Sequence, residues 1–240
     1  GCKSPQSSSI RPNVRPLPTP PTITAGGPTT FCPGSSVILT SSAGVGYVWL
    51  NVSTNTTVGT TQGISVDKTG YYVAKVTDAN GCTSLQSSPI QIILLPTPAT
   101  PTISATGATT FCQGGSVVLV SSPGIAYSWS SGATTQNITV NTTGFYTLTV
   151  KDANGCVSNP SNPTAVVVNA LPLKPSITAS SATTFCQGES VVLSTAQQSR
   201  YRWNNGLATQ SITVISSGKF AVQVTDSNGC TGTSAHGSAT

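Results

Sequence analysis

Gly144-Phe145-Tyr146-Thr147-Leu148-Thr149-Val150-Lys151-Asp152-Ala153-Asn154-Gly155-Cys156 holds the decision about the fold. Tyr146, Leu148 and Val150 alternate with polar neighbours, the period-two pattern of a strand with one buried face. Asp152 to Gly155 then supplies a hairpin turn, because Asp bonds its own turn backbone and Gly accepts a positive φ. Strand, turn and cysteine follow in that order, and the phrase occurs twice more. Tyr72, Ala74 and Val76 precede Asp78-Ala79-Asn80-Gly81-Cys82, while Phe220, Val222 and Val224 precede Asp226-Ser227-Asn228-Gly229-Cys230. Lys75, Thr149 and Gln223 take the outward positions.

Working outward, each closing phrase has a matching opening: Thr30-Phe31-Cys32, Thr110-Phe111-Cys112 and Thr184-Phe185-Cys186. The opening cysteines recur at 80 and then 74 residues, which marks an array of small domains in place of one large enzyme. Between opening and closing lie further short strands: Val37-Ile38-Leu39, Val117-Val118-Leu119 and Val191-Val192-Leu193, then Tyr-x-Trp, then Ile64-x-Val66, Ile138-x-Val140 and Ile212-x-Val214. No helical period appears. About seven strands per repeat predict an all-β fold of three tandem immunoglobulin-like β-sandwich domains in an elongated array.

Proline-rich joints at 17–21, 95–101 and 171–175 separate the repeats, and proline makes such joints short and semi-rigid. The expected domains are 19–97, 98–172 and 173–240. Residues 1–18 read as the last strand of a preceding repeat, and the third repeat's own last strand reads as cut away near Thr240. Gly1-Cys2 resembles the end of another Asn-Gly-Cys, so the chain reads as a window on a longer protein and Cys2 as a cysteine deprived of its partner. Strand donation between molecules is the alternative account of the two ends.

Trp49, Trp129 and Trp203 each stand 17 residues after an opening cysteine and share strand parity with Tyr47, Tyr127 and Tyr201. They are expected in the core with Tyr72, Tyr146 and Phe220; an exposed ring that stacks on sugar is the other reading. The first repeat is longer by six residues between Trp49 and Val66. Asn51 to Gly63 reads as an extended surface loop, with Asn51, Asn55, Thr56 and Thr57 as candidate contacts.

Small domains have marginal cores, and paired cysteines at matched positions point to disulfides and an oxidising, extracytoplasmic setting. The expected bridges are Cys32 to Cys82, Cys112 to Cys156 and Cys186 to Cys230, each with about 4 kcal/mol of chain-entropy stabilisation. One cysteine precedes its strand and the other follows a hairpin, so a strictly antibody-like strand order sends them to opposite ends of the sandwich. A bridge across a junction, such as Cys32 to Cys156, is the alternative.

Composition narrows the function. Lys and Arg number 10 and Asp and Glu five, only 6% of residues are charged, and the net charge of +5 is spread over the chain. That gives no basic stripe for nucleic acid, and Arg200 and Arg202 fall on the outer face of a strand. No apolar run reaches membrane-spanning length, so direct membrane insertion is not expected. Asp78, Asp152 and Asp226 are accounted for by turn chemistry, Asp67 and Glu189 stand alone, and His236 is the single histidine. With no acid, base or nucleophile set that recurs, no catalytic residue is assigned and no enzyme is expected. The Asp-x-Asn spacing lacks the remaining oxygen ligands of a calcium loop, so neither metal nor cofactor is expected. The Asn-x-Ser/Thr sequons at Asn51, Asn55, Asn137 and Asn141 would carry glycans only in a eukaryotic secretory route.

Cys112 to Leu119, Tyr127 to Val140 and Gly144 to Cys156 together resemble the immunoglobulin-like repeats of very large secreted surface proteins of Bacteroidetes-type bacteria. The resemblance covers nearly the whole chain and departs from the pattern at Phe220, which lacks the hydroxyl of Tyr72 and Tyr146. It implies secretion across the outer membrane, commonly by the type IX route, and service as a stalk or filament in adhesion, gliding or prey capture at the cell surface. The expected partners are neighbouring repeats of the same chain, with a cell-surface glycan or protein, or identical chains in a fibre, as further candidates. The competing function is a glycan- or protein-binding module whose contacts lie in Asn51 to Gly63.

Overall fold

The chain is all-β in the computed structural model, which describes residues 1–2, 4–232 and 235–239, the last five by backbone alone. It divides into two compact units, one made of Gly1–Ala99 with Lys151–Val157 and the other of Thr100–Val150 with Ser158–Thr240. Among the described residues three hydrophobic clusters occur, one from each sequence repeat, so the second unit holds two of them.

The first repeat contributes β1 (Ile23–Ala25), β2 (Thr30–Phe31), β3 (Val37–Ser41), β4 (Gly46–Asn51), β5 (Thr56–Gly59), β6 (Gly63–Val66), β7 (Gly70–Thr77) and β8 (Ile90–Leu94). One sheet runs β1-β3-β6 and the other β2-β8-β7-β4-β5. Leu39, Ile64 and Val66 from the first sheet pack with Trp49, Ala74 and Ile92 from the second. Along β7, Tyr72, Ala74 and Val76 are buried while Tyr71 is exposed and Lys75 only partly covered, and Val73 on the outer face is buried as well. Within this repeat β2 alone runs parallel to its neighbour, placing Thr30 beside Ile93 and Phe31 beside Leu94 of β8.

The second repeat builds β9 (Ile103–Ala105), β10 (Thr110–Cys112), β11 (Val117–Ser121), β12 (Ala126–Trp129), β13 (Asn137–Val140), β14 (Gly144–Tyr146), β15 (Leu148–Lys151) and β16 (Thr164–Asn169). Strands β9-β11-β13 form one sheet, and β10-β16-β14 with the pair β12-β15 make up the other side. The third repeat builds β17 (Thr178–Ala179), β18 (Val191–Ser194), β19 (Arg200–Trp203), β20 (Ser211–Val214), β21 (Gly218–Thr225) and β22 (Ala235–Ala239), in sheets β17-β18-β20 and β19-β21-β22. This is an immunoglobulin-like sandwich arrangement of short strands, antiparallel except where β2 and β10 run parallel to β8 and β16.

Three expectations need correction. Asn51 to Gly63 is not a plain loop: β5 folds back on β4, with Thr56 opposite Asn51 and Thr57 opposite Leu50, and widens the sheet by one strand. Val58 and the threonines have strand propensity, and Asn55 supplies the left-handed turn residue at φ 55°. Secondly, the last strand of the third repeat begins inside the chain, because β22 pairs with β21 from Gly218–Ala239 to Val222–Ala235. Ala-His-Gly-Ser-Ala has no apolar alternation, so main-chain hydrogen bonding alone reveals it; the His236 side chain and Thr240 lie outside the described residues. Thirdly, residues 4–18 carry no strand pairing, and Lys3 lies outside the described residues.

Candidate functional site

Two disulfides form, and both join one sequence repeat to the next: Cys32 to Cys156 and Cys112 to Cys230, with Cα separations of 5.3 Å and 5.5 Å. The expected pairs Cys32 to Cys82, Cys112 to Cys156 and Cys186 to Cys230 do not exist, and Cys2, Cys82 and Cys186 are free. Strand order supplies the reason. Cys32 follows β2, which lies beside the end of β8, and antiparallel pairing sets that end beside Gly70 at the start of β7. Cys82 follows the far end of β7. Eight residues of strand separate the two positions, roughly 25 Å, whereas a disulfide needs Cα atoms within about 7 Å.

Each closing cysteine is held by a turn of fixed geometry. The Asp78 carboxylate accepts the N–H groups of Asn80 and Cys82, both at 2.9 Å, and Asp152 does the same for Asn154 and Cys156. Asp226 repeats it with Asn228 at 2.9 Å and Cys230 at 2.8 Å. The glycine before each cysteine sits at φ 80° or 81°, where a side chain would be strained. The N–H of Cys82 is the main cause that holds the Asp78 carboxyl below its ordinary range; desolvation opposes it, and Asn80 and Arg15 reinforce it. Arg15 also donates to Asn80 Oδ1, which ties the leading segment to this turn. These carboxylates are thus occupied by their own turns, as turn chemistry predicts.

The chain leaving the first two closing turns uses a device that sequence reasoning missed. Ser84 Oγ accepts the N–H of Val76 at 3.1 Å while the Ser84 N–H donates to the Val76 carbonyl at 2.9 Å. Ser87 repeats this with Ala74, and in the second repeat Ser158 and Ser161 do so with Val150 and Leu148. Buried serines therefore complete the hydrogen bonding of a strand edge that no neighbouring strand covers there. The legible signal was a serine at two and at five residues past the closing cysteine in both repeats.

The aromatic residues sit inside the sandwich. Trp49, Trp129 and Trp203 are buried, and each indole N–H donates at 2.8 Å to a carbonyl, of Thr61, Thr135 and Thr209 respectively. Tyr72 donates to the Lys68 carbonyl at 3.0 Å and Tyr146 to that of Thr142 at 3.1 Å. Burial is the main cause that pushes the Tyr72 phenol above its ordinary pKa, with Asn51 opposing and Asp67 reinforcing. Phe220 takes the matching place without a hydroxyl and is less deeply covered.

The residues proposed for contacts in the first repeat separate. Asn51 is buried, accepts the Ser53 N–H at 3.0 Å and packs under Gly70, so it is no surface contact. Asn55, Thr56 and Thr57 are exposed on the turn and on β5. Apart from them, a shallow groove of about 320 Å³ is lined by Val52 and Ser53 just after β4, Tyr71 and Val73 of β7, and Gln86, Ser87 and Pro89.

Residues 18–96 match the family model described as Ig-like domain CHU_C associated, in agreement with the sandwich formed by β1 to β8. No curated protein matches the chain. Among solved structures the chain is similar to the human OSCAR ligand-binding domain, at 14% identity over 62% of this chain and 99% of that one, with a TM-score of 0.30. A superposition that loose carries no weight beside the family match.

Proposed function

We propose that this chain is a structural segment of a stalk or filament in a large extracellular bacterial surface protein that serves adhesion, gliding or prey capture. One observation carries the reading: successive sequence repeats are covalently bonded, opening cysteine to the closing cysteine of the next. A bond within a domain would steady only that domain, whereas a bond across the joint keeps neighbouring repeats together when the array is pulled. Two disulfides also fit a setting outside the reducing cytoplasm. The Ig-like match over residues 18–96 supports a surface module of the Bacteroidetes-associated kind. Gold-labelled antibody against this chain, applied to intact source cells, is expected to decorate projections that extend from the outer surface. Labelling that appears only after the cells are opened would overturn the reading.

A second reading rests on the groove between the end of β4 and β7. Tyr71 is 47% exposed there, next to Val52 and Ser53 of the first repeat's extra hairpin. Such a ring with polar neighbours suits a sugar face or a peptide side chain, although the groove is at the small end for a ligand site. Binding on a glycan array that is lost on Tyr71→Ala would favour this module over the stalk.

A further inference from the structure

We propose that the outer face of the β19–β21 sheet in the third repeat is a docking surface for a linear uronic-acid polysaccharide, held by Arg200, Arg202 and Lys219. Sequence order hides the grouping, because Lys219 stands 17 residues beyond Arg202. Antiparallel pairing removes that distance. Arg202 lies opposite Gln223 and Arg200 opposite Thr225, so the outward residues of β21, Lys219 and Gln223 among them, share a face with the two arginines. All three cations are exposed, while the inward Trp203, Val222 and Val224 are buried. At the rise of an extended strand, the stripe from Arg200 to Lys219 is about 20 Å long.

The other repeats carry no match for this charge. Counting from the core tryptophan, Arg200 and Arg202 stand where the first repeat has Gly46 and Val48 and the second has Ala126 and Ser128. Lys219 stands where they have Tyr71 and Phe145. Three positions that are neutral in both other repeats are therefore cationic in this one, and all three fall on one face. The two acids of the third repeat are engaged elsewhere: Glu189 Oε2 accepts the Cys186 N–H, and Asp226 Oδ1 accepts the N–H groups of Asn228 and Cys230. That leaves the face complementary to a polyanion.

What else the face carries selects the polyanion. A groove of about 270 Å³ is lined by Arg202, Trp203, Asn204, Ala221 and Gln223, with Ala221 smaller than the Val73 and Thr147 of the matching places. The Asn204 side chain is fixed there, donating to the Lys219 carbonyl at 2.8 Å and accepting the Ala221 N–H at 3.1 Å. Guanidinium forks match carboxylates through two parallel hydrogen bonds, and the exposed Gln223 amide offers a partner to sugar hydroxyls. The outward residues Arg200, Arg202, Lys219, Ala221 and Gln223 include no ring on which a base could stack and no large apolar side chain to enter a bilayer. A hydroxyl-rich chain with a carboxylate on each sugar fits this combination.

The test is binding of the full chain to polygalacturonate, followed by biolayer interferometry at low and at high salt. Binding at low salt that weakens steeply as salt is raised is expected. Arg200→Gln with Arg202→Gln should weaken it about tenfold, and Lys219→Gln about threefold. Lys75→Gln with Lys151→Gln removes the same net charge from the other repeats and should leave the affinity within about twofold. An equal loss in that control would mean that net charge alone binds, and would overturn the proposal. So would equal or tighter binding to single-stranded DNA or to phosphatidylglycerol vesicles, or no binding of the unaltered chain at low salt. The substituted arginines and Lys219 are exposed, so an unchanged urea midpoint is expected and identifies each variant as folded. Surface labelling and Tyr71→Ala report on other properties, so this proposal stands or fails without them.

Discussion

The hydroxyls of Tyr72 and Tyr146 each reach back four residues to a main-chain carbonyl, and Phe220 leaves the corresponding carbonyl, that of Ser216, without this donor. Phe220→Tyr adds one neutral hydrogen bond at a partly covered position. It is expected to stabilise the protein by about 1 kcal/mol in urea unfolding, and a loss of stability would show that the third repeat does not share the corner geometry. Asp78 makes a pH prediction. Its folded pKa is depressed, so its contribution is present above the unfolded value near 4 and is lost as pH falls through the lower folded value. A carboxyl NMR titration should place Asp78 below a free aspartate, and Asp78→Asn should flatten the acid limb of the stability curve. The side chains of the turn were legible as Asp-x-Asn-Gly, because short polar residues and glycine act locally. The twin serines were not, since their role needs the edge of β7 to be brought alongside.

Among the elements, β4 and β7 depend on one close approach. A Cβ on Gly70 would lie 2.6 Å from Asn51 Nδ2, and Asn51 is buried. Gly70→Ala should therefore cost about 2 kcal/mol or more by overpacking, measured as a lowered unfolding midpoint, and Gly70→Ala with Asn51→Ala should recover part of it. A cost unchanged in the double variant would place the strain elsewhere. Strands β3, β6 and β7 and their counterparts were readable because alternation records which face is buried. β5 escaped that reading. A short exposed hairpin buries too little to leave an apolar pattern, and main-chain pairing to β4 is what makes it a strand.

For the whole molecule, the two bridges reroute tension. The shortest covalent path from Cys32 to Cys230 crosses to Cys156, runs back along the 44 residues to Cys112, and crosses again. Fully drawn out, that path spans about 150 Å, against roughly 700 Å for the same interval after reduction. Single-molecule pulling with handles at 32 and 230 should show that difference on adding a thiol reductant. A long extension under oxidising conditions would mean that the bridges had not formed. Each bridge closes a loop above 100 residues, for which chain entropy alone gives about 5 kcal/mol.

What the sequence determined by itself is the local inventory: alternating strands, glycine turns, buried tryptophans at a constant offset, and cysteines in matched openings and closings. Those features follow from interactions a few residues long, so they survive in the order of the letters. Tertiary structure decided between the bridges within a repeat and the alternative across a junction, and it is the alternative, Cys32 to Cys156, that forms. An opening cysteine and the closing cysteine nearest it in sequence are held at opposite ends of one long strand. The length of that strand keeps the two sulfurs apart, and Cys32 and Cys112 bond instead to the repeat that follows.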